Sequence, residues 1–217
     1  MALFPAFLKM AGRRCLVVGA GPIAEEKIES LLHTDAKITV VAPDATARVQ
    51  AWARARKIRW QRRKFRATDL SGAFIVIAAT SNSKLHATIF RKARRLGVLC
   101  NSVDDPANCD FYYGSVVRRG ELQIAISTAG HSPALAQRLR KKLEKDIGTE
   151  YERFVTALGA ARKRLFAKSI SPLRRKALLH ELASEIAFEK FQHKRRASKK
   201  RRRKKTIFTQ SLRGKSR

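Results

Sequence analysis

Six residues near the amino terminus, Gly19-Ala20-Gly21-Pro22-Ile23-Ala24, have the spacing G-x-G-x-x-A. That spacing suits one chemistry, the holding of a dinucleotide pyrophosphate. The first glycine makes a tight turn, the second lets the pyrophosphate approach the backbone, and the small Ala24 lets a helix pack closely on a strand. The helix that begins there offers free N–H groups to the phosphates. Gly19, Gly21, Pro22 and Ile23 are therefore candidate cofactor contacts. Pro43, Asp44 and Thr80, just past two further apolar runs, complete the set. Asp44 comes one or two positions late for a carboxylate that binds a ribose hydroxyl, and a helix N-cap explains it equally well. Arg48 would favour a 2′-phosphate or simply be solvated. NAD and NADP both remain open.

Asn101-Ser102-Val103-Asp104-Asp105-Pro106 follows another strand-like run. Ligands bind at the carboxyl ends of strands in open α/β sheets. Asp104 is the candidate catalytic residue, a carboxylate able to take a proton, with a pKa that partial burial would raise. Asp104 and the adjacent Asp105 point in different directions, so one can face the cleft while the other caps the loop or binds a basic side chain. Ser127, Thr128, His131 and Ser132 lie on a strand-to-helix turn whose small hydroxylated residues suit an anionic substrate. Simple capping by Ser132 explains the same pattern. Cys15 and Cys100 fall inside strands and read as core. Cys109 follows Asp104 in the loop, with no partner base evident. The five histidines show no zinc-ligand spacing. No lasting metal ligand is assigned, and Asp104 is the one candidate for transient metal contact. His86, in the helix after Thr80, could face the same cleft.

These residues need a scaffold that alternates strand and helix. Arg14–Gly19, Lys37–Ala42, Ile58–Arg62, Phe74–Ala79 and Val98–Val103 read as strands. Helices are expected from Pro22, near Ala45–Arg56 and over Ser83–Leu96, with Gly97 as the stop. The alternation predicts a parallel sheet with helices on both faces. After about residue 113 the pattern changes. Ser115–Arg118 and Leu122–Ser127 read as a hairpin, and a helix capped by Ser132 carries the stripe Leu135, Leu139, Leu143 and Ile147. Further helices are expected over Tyr151–Ala167 and Pro172–Phe188. A hairpin and one helix bury little alone, so this segment is expected to pair with a second copy of the chain. The fold class is α/β: a Rossmann-like parallel sheet, a small α+β dimerisation segment and a C-terminal helical region. The expected divisions are 1–113, 114–148, 149–189 and a basic, disordered tail at 190–217.

The chain has 217 residues with 48 Lys+Arg against 17 Asp+Glu, a formal charge of +31, and its 44% hydrophobic fraction is enough for a real core. Eleven glycines and six prolines exclude collagen-like and mucin-like classes. Three cysteines build no disulfide framework. No apolar run is long enough to span a bilayer, and the first ten residues do not read as a signal peptide. A cytoplasmic protein with no membrane partner is expected. Residues 190–217 hold 14 of the cations and no acid. The remaining body is still basic, which predicts an anionic partner.

The strings FPAFLKMAGRRCLVVGAGPIAEEKIESLL, FIVIAAT, NSVDDPANCDF and SVVRRGELQIAISTAGHSPALAQRLRKKLE together resemble the precorrin-2 dehydrogenase family of siroheme synthesis. The likeness covers about residues 1–150 and continues loosely to 188. It implies NAD-dependent oxidation of precorrin-2 to sirohydrochlorin and, in some members, insertion of Fe2+ as a second substrate. It also implies a homodimer that exchanges the segment after the sheet domain. Asp104 falls on the family's key aspartate, with roles as general base and in metal handling, and Thr128 on a serine that can be phosphorylated. The substrate is a tetrapyrrole polycarboxylate, which a basic cleft would attract, and Arg118, Arg119, Arg138 and Arg140 are candidate carboxylate binders. The sequence departs from the family pattern at Ala20, His86, Gly114 and Ala129. The competing reading is a nucleic-acid-binding protein with a Rossmann shell that works through its basic tail.

Overall fold

Four successive apolar residues in β1 (Arg14–Val18) leave neither face of the strand fit for water. The computed structural model describes residues 3–193. In it, β1 is the centre of a five-stranded parallel sheet. α1 (Pro22–Leu32) leads to β2 (Lys37–Val41), and α2 (Ala47–Arg54) leads to the edge strand β3 (Arg59–Gln61). The chain then crosses to β4 (Ile75–Ala78), α3 (Ser83–Arg95) and β5 (Leu99–Ser102). The strand order is β3-β2-β1-β4-β5. Val18 stands in register with Val41 on one side and Ala78 on the other.

Alternation along the strands divides the core in two. Cys15 and Val17 join Val40, Ile75 and Ile77 on the face covered by Ala24, Ile28 and Leu31 of α1 and by Val49 of α2. Leu16 and Val18 join Val41, Val76 and Ala78 on the opposite face, beneath Leu70 and the α3 residues Ile89 and Ala93. Both faces are thus sealed by helices, as the alternating pattern predicts. Asn82 caps α3 by accepting from the Leu85 N–H at 3.0 Å. Gly97, at φ +66°, stops the helix at the expected place. The 3₁₀ turn Ala67–Leu70 is not predicted from periodicity. It is built on Asp69, which accepts from the Arg66 N–H and pairs with Arg63, and the Arg63 guanidinium holds the Asp69 carboxyl below its ordinary range.

Contacts divide the chain into two units. One runs to Tyr113 and includes Ala129–His131; the other holds Gly114–Thr128 and the residues from Ser132 onward. In the second unit β6 (Ser115–Arg119) and β7 (Leu122–Ile126) form an antiparallel hairpin. α4 (Pro133–Asp146), α5 (Glu150–Phe166) and α6 (Pro172–Leu182) follow. Ser132 caps α4 by accepting from the Leu135 N–H. The helix expected over Pro172–Phe188 is broken. Ala183 ends α6, and Ser184 starts a new helical stretch at 185–193 by accepting from the Ala187 N–H at 3.2 Å. Residues 190–193 are therefore helical rather than tail, and the Phe191 ring packs against Phe154. The rest of the expected disordered tail lies outside the described residues. Among the described residues no helix is long and apolar enough to cross a membrane.

A candidate dinucleotide cleft at the carboxyl edge of the sheet

β1 and β4 are neighbours whose connections leave in opposite directions along the sheet. This is the topological switch point at which ligands bind in open α/β folds. A cleft of about 740 Å³ opens there. Gly19 turns the chain at φ +107° and donates its N–H to Val41 at 3.0 Å. A Cβ on Gly19 would sit 2.1 Å from the Ala79 carbonyl oxygen, so the first glycine is required by the neighbouring backbone. Gly21 differs, because a Cβ there would meet nothing within 4 Å and would project into open space. Gly21 is also the N-cap of α1, and no side chain caps the helix start. Room beside Gly21 and uncapped N–H groups at a helix start fit a pyrophosphate. Ala24 is fully buried beneath that turn.

Gly19, Gly21, Pro22 and Ile23 line the cleft from the first turn. Pro43 and Asp44 line it after β2, Thr80 after β4 and Asp104 after β5. Asp44 is not the cap of α2. Thr46 takes that role, accepting from the Val49 N–H while donating to Glu25 at 2.6 Å. Asp44 instead stands nine-tenths exposed, 3.9 Å from Arg62. Arg62 also donates to the Pro43 carbonyl and lies over the Trp60 ring, whose Nε1 donates to Ala42. Sequence reasoning missed this Arg62–Asp44 pair, since Arg62 reads there as the end of a strand. Arg48 is committed elsewhere, to Glu25 and Glu29, and it lies over Trp52.

The loop that carries Asp104 folds back on β5. The Asp110 carboxylate accepts from the Cys100 N–H, and Asn101 donates to the Phe111 carbonyl at 2.8 Å. The Cys109 thiol donates toward the Ser102 and Asp105 carbonyls and accepts from the Ser102 N–H, which ties the two ends of the turn together. Burial pushes this thiol up, as it does Cys15, to about 11, and Cys100, to about 12. These are packing groups, and Cys109 also holds the loop. Asp105 accepts from the Asn108 side chain at 2.7 Å and caps the loop. Asp104 is held at φ +59° and its carboxylate has no partner among the described residues. It is exposed, so the partial burial expected for it is not found. His86 lines the same cleft, but it is buried and its Nε2 accepts from the Thr80 N–H at 3.3 Å. It props the end of β4.

The remaining candidates are not among the residues that line this cleft. Thr128 Oγ1 accepts from the Ser132 N–H, Ser132 caps α4, and Ser127 and His131 are exposed. Ala129 and Gly130 both take positive φ, at 51° and 86°. Two of the four arginine candidates are used internally. Arg119 donates to the Glu144 and Ile147 carbonyls at the end of α4, and Arg140 pairs with Glu144. Arg118 and Arg138 stay exposed. Among the described residues no lysine or arginine lines the carboxyl-edge cleft, so the expected basic character is not found there. Among the described residues no group of three or more His, Cys, Asp or Glu could hold a metal ion.

Residues 6–115 match the model of a family described as "Putative NAD(P)-binding", and residues 119–146 match that of the "Sirohaem biosynthesis protein central" family. The first match alone spans half of the chain. The chain belongs to the siroheme-synthase dehydrogenase family. A siroheme synthase of Nitrosococcus oceani is 39% identical over 153 residues, covering 70% of this chain and 33% of that protein. One from Neisseria meningitidis serogroup C is 41% identical over 144 residues, covering 66% and 30%. The chain thus spans about a third of the length of the curated relatives it matches. The solved structure of "SirC, precorrin-2 dehydrogenase" superimposes with a TM-score of 0.69 at 27% identity, covering 88% of this chain and 98% of that one. The siroheme-synthase family thus brings an NAD(P)-binding domain to the part of the chain that holds the cleft.

Proposed function

We propose that this chain oxidises precorrin-2 to sirohydrochlorin with NAD+ as the acceptor. The observation that carries this reading is Asp104, an exposed carboxylate without a partner on the wall of an NAD(P)-type cleft. The likeness to a precorrin-2 dehydrogenase over nearly the whole of that chain supports the choice of substrate. The substrate loses two hydrogens, one with its electron pair and one as a proton. When bound, the nicotinamide supplies the acceptor for the hydride. Gly21 and the start of α1 hold the pyrophosphate, and Asp44 receives the ribose hydroxyls. Asp104 takes the proton, a role for which an unpaired carboxylate at the rim is suited. NAD is preferred because the Asp44 carboxylate repels a 2′-phosphate, and Arg62 beside it weakens that preference. Insertion of Fe2+ is a second step proposed for the same cleft, with the metal as substrate and Asp104 as its contact.

The chain is proposed to act as a homodimer. In the single chain Leu135 and Leu139 of α4 remain 37% and 38% exposed, half of an apolar stripe left uncovered. Ser127, Thr128, His131 and Ser132 are kept as substrate contacts of the completed dimer. The deciding experiment is anaerobic conversion of precorrin-2 with NAD+, followed by the absorbance of sirohydrochlorin, for wild type and Asp104→Ala. Wild-type turnover that is lost in the variant is the expected result. A folded protein with no turnover on either nicotinamide would overturn the reading. Addition of Fe2+ then tests chelation against the enzyme-free rate.

A further inference from the structure

The amino ends of the strands form a second concave surface that nothing in the proposed dehydrogenation uses. This groove of about 770 Å³ is lined by Arg14, Lys37, Arg56, Lys57 and Arg59, with Trp60 on its wall and, among the described residues, no acidic residue. Arg14 and Lys37 stand opposite each other across β1 and β2. Thr39 stands opposite Arg59 of β3, and Arg56 and Lys57 lie in the turn just before that strand. Arg14, Lys37 and Arg59 therefore come from three neighbouring strands spaced about 5 Å apart, with Arg56 and Lys57 beside them. Arg14 is fixed by donating to the Ser71 carbonyl at 2.7 Å. The other four are exposed and make no ion pair among the described residues. A folded surface holds such a cluster against its own repulsion, which an anion would relieve.

We infer that this amino-edge groove binds the phosphodiester backbone of a single-stranded nucleic acid. Its span over three strands, roughly 10 Å, admits one strand and is too narrow to seat a duplex. The cations line a recess, and a flat layer of lipid headgroups would reach only its rim. The length of β1, roughly 15 Å, separates the groove from the cleft, so this inference stands whether or not the dehydrogenase reading holds.

The test uses the full chain, so that the basic residues beyond 193 are present in every sample. Binding of a labelled oligouridylate is followed by fluorescence anisotropy as a function of salt. Lys37→Gln/Arg56→Gln/Lys57→Gln/Arg59→Gln is compared with Arg153→Gln/Lys163→Gln/Arg164→Gln/Lys168→Gln, which removes the same charge from α5 and the turn after it. The groove variant is expected to lose about tenfold in affinity and to flatten the salt dependence by up to about three units, at about 0.7 per phosphate contact on a single strand. The α5 variant is expected to lose less than about threefold. Thermal melting checks the folding of both, and the single exposed change Lys57→Glu carries the test if the quadruple variant does not fold. Equal losses in the two quadruple variants, or no loss in the groove variant, would overturn the inference. So would a larger loss on anionic phosphatidylserine vesicles than on the oligouridylate.

Discussion

The cleft at the carboxyl edge of the five-stranded sheet is lined by Asp44, Asp104 and Asp105 and, among the described residues, by no lysine or arginine, whereas the groove at the amino edge is lined by five cations and, among the described residues, by no acid. In a parallel sheet every crossover helix begins at the first edge and ends at the second. Helix N-termini carry partial positive charge and C-termini partial negative charge. The side chains at each edge therefore oppose the helix ends beside them. α2 ends in Arg54 and α3 in Lys92, Arg94 and Arg95. A net charge of +31 says nothing about the sign of a particular site. The cleft is the acidic exception on a basic body, consistent with a ligand held by backbone N–H groups and ribose contacts rather than by lysines.

Substitutions can test how far the two edges are independent. The largest effect is expected from Gly19→Ala, whose Cβ meets backbone and whose φ is left-handed. It should destabilise the chain by roughly 3 kcal/mol or more, read by denaturant unfolding. Asp104→Asn removes the charge but keeps a residue that tolerates positive φ. Turnover should fall by about 100-fold or more, with NAD+ binding and melting temperature held. Gly21→Ala should leave stability within about 0.5 kcal/mol and weaken dinucleotide binding by about tenfold in calorimetric titration, since its Cβ fills only the cleft. The smallest effect belongs to Asp44→Asn. It should improve NADP+ binding relative to NAD+ by about threefold to tenfold, most clearly at low salt. All four should leave oligouridylate binding at the amino edge unchanged at equal folded fraction. A parallel loss there would break the separation between the edges.

The cleft was largely legible because its parts are local. A glycine turn between a strand and a helix, and a carboxylate just past a strand, are patterns within a few residues of chain. The groove was not, because Arg14, Lys37 and Arg59 come from three strands and meet only through the order β3-β2-β1. Arg119 looked like a substrate contact because a sequence does not show that its guanidinium reaches the end of α4, 25 and 28 residues away. Cys109 has no partner base in the sequence, and its thiol instead ties the Asp104 loop together through the Ser102 and Asp105 carbonyls. Ser184 lay within an unbroken helical period, and its capping competes with helix continuation in a way that apolar spacing does not register.

The fit of Gly19 against Ala79 also bears on folding fidelity. In β1 both faces are apolar, and Cys15, Leu16, Val17 and Val18 are all buried. Sliding this strand by one residue would exchange the contents of the two clusters at little cost in hydrophobicity, so pattern alone sets the pairing weakly. Only a residue without a side chain can stand where Gly19 approaches the Ala79 carbonyl. A slipped pairing would bring Val18 or Ala20 to that point and would clash at once. The glycine that shapes the cofactor turn thus also acts as a proofreading mark for the central strand, rejecting misaligned sheets before a ligand is present.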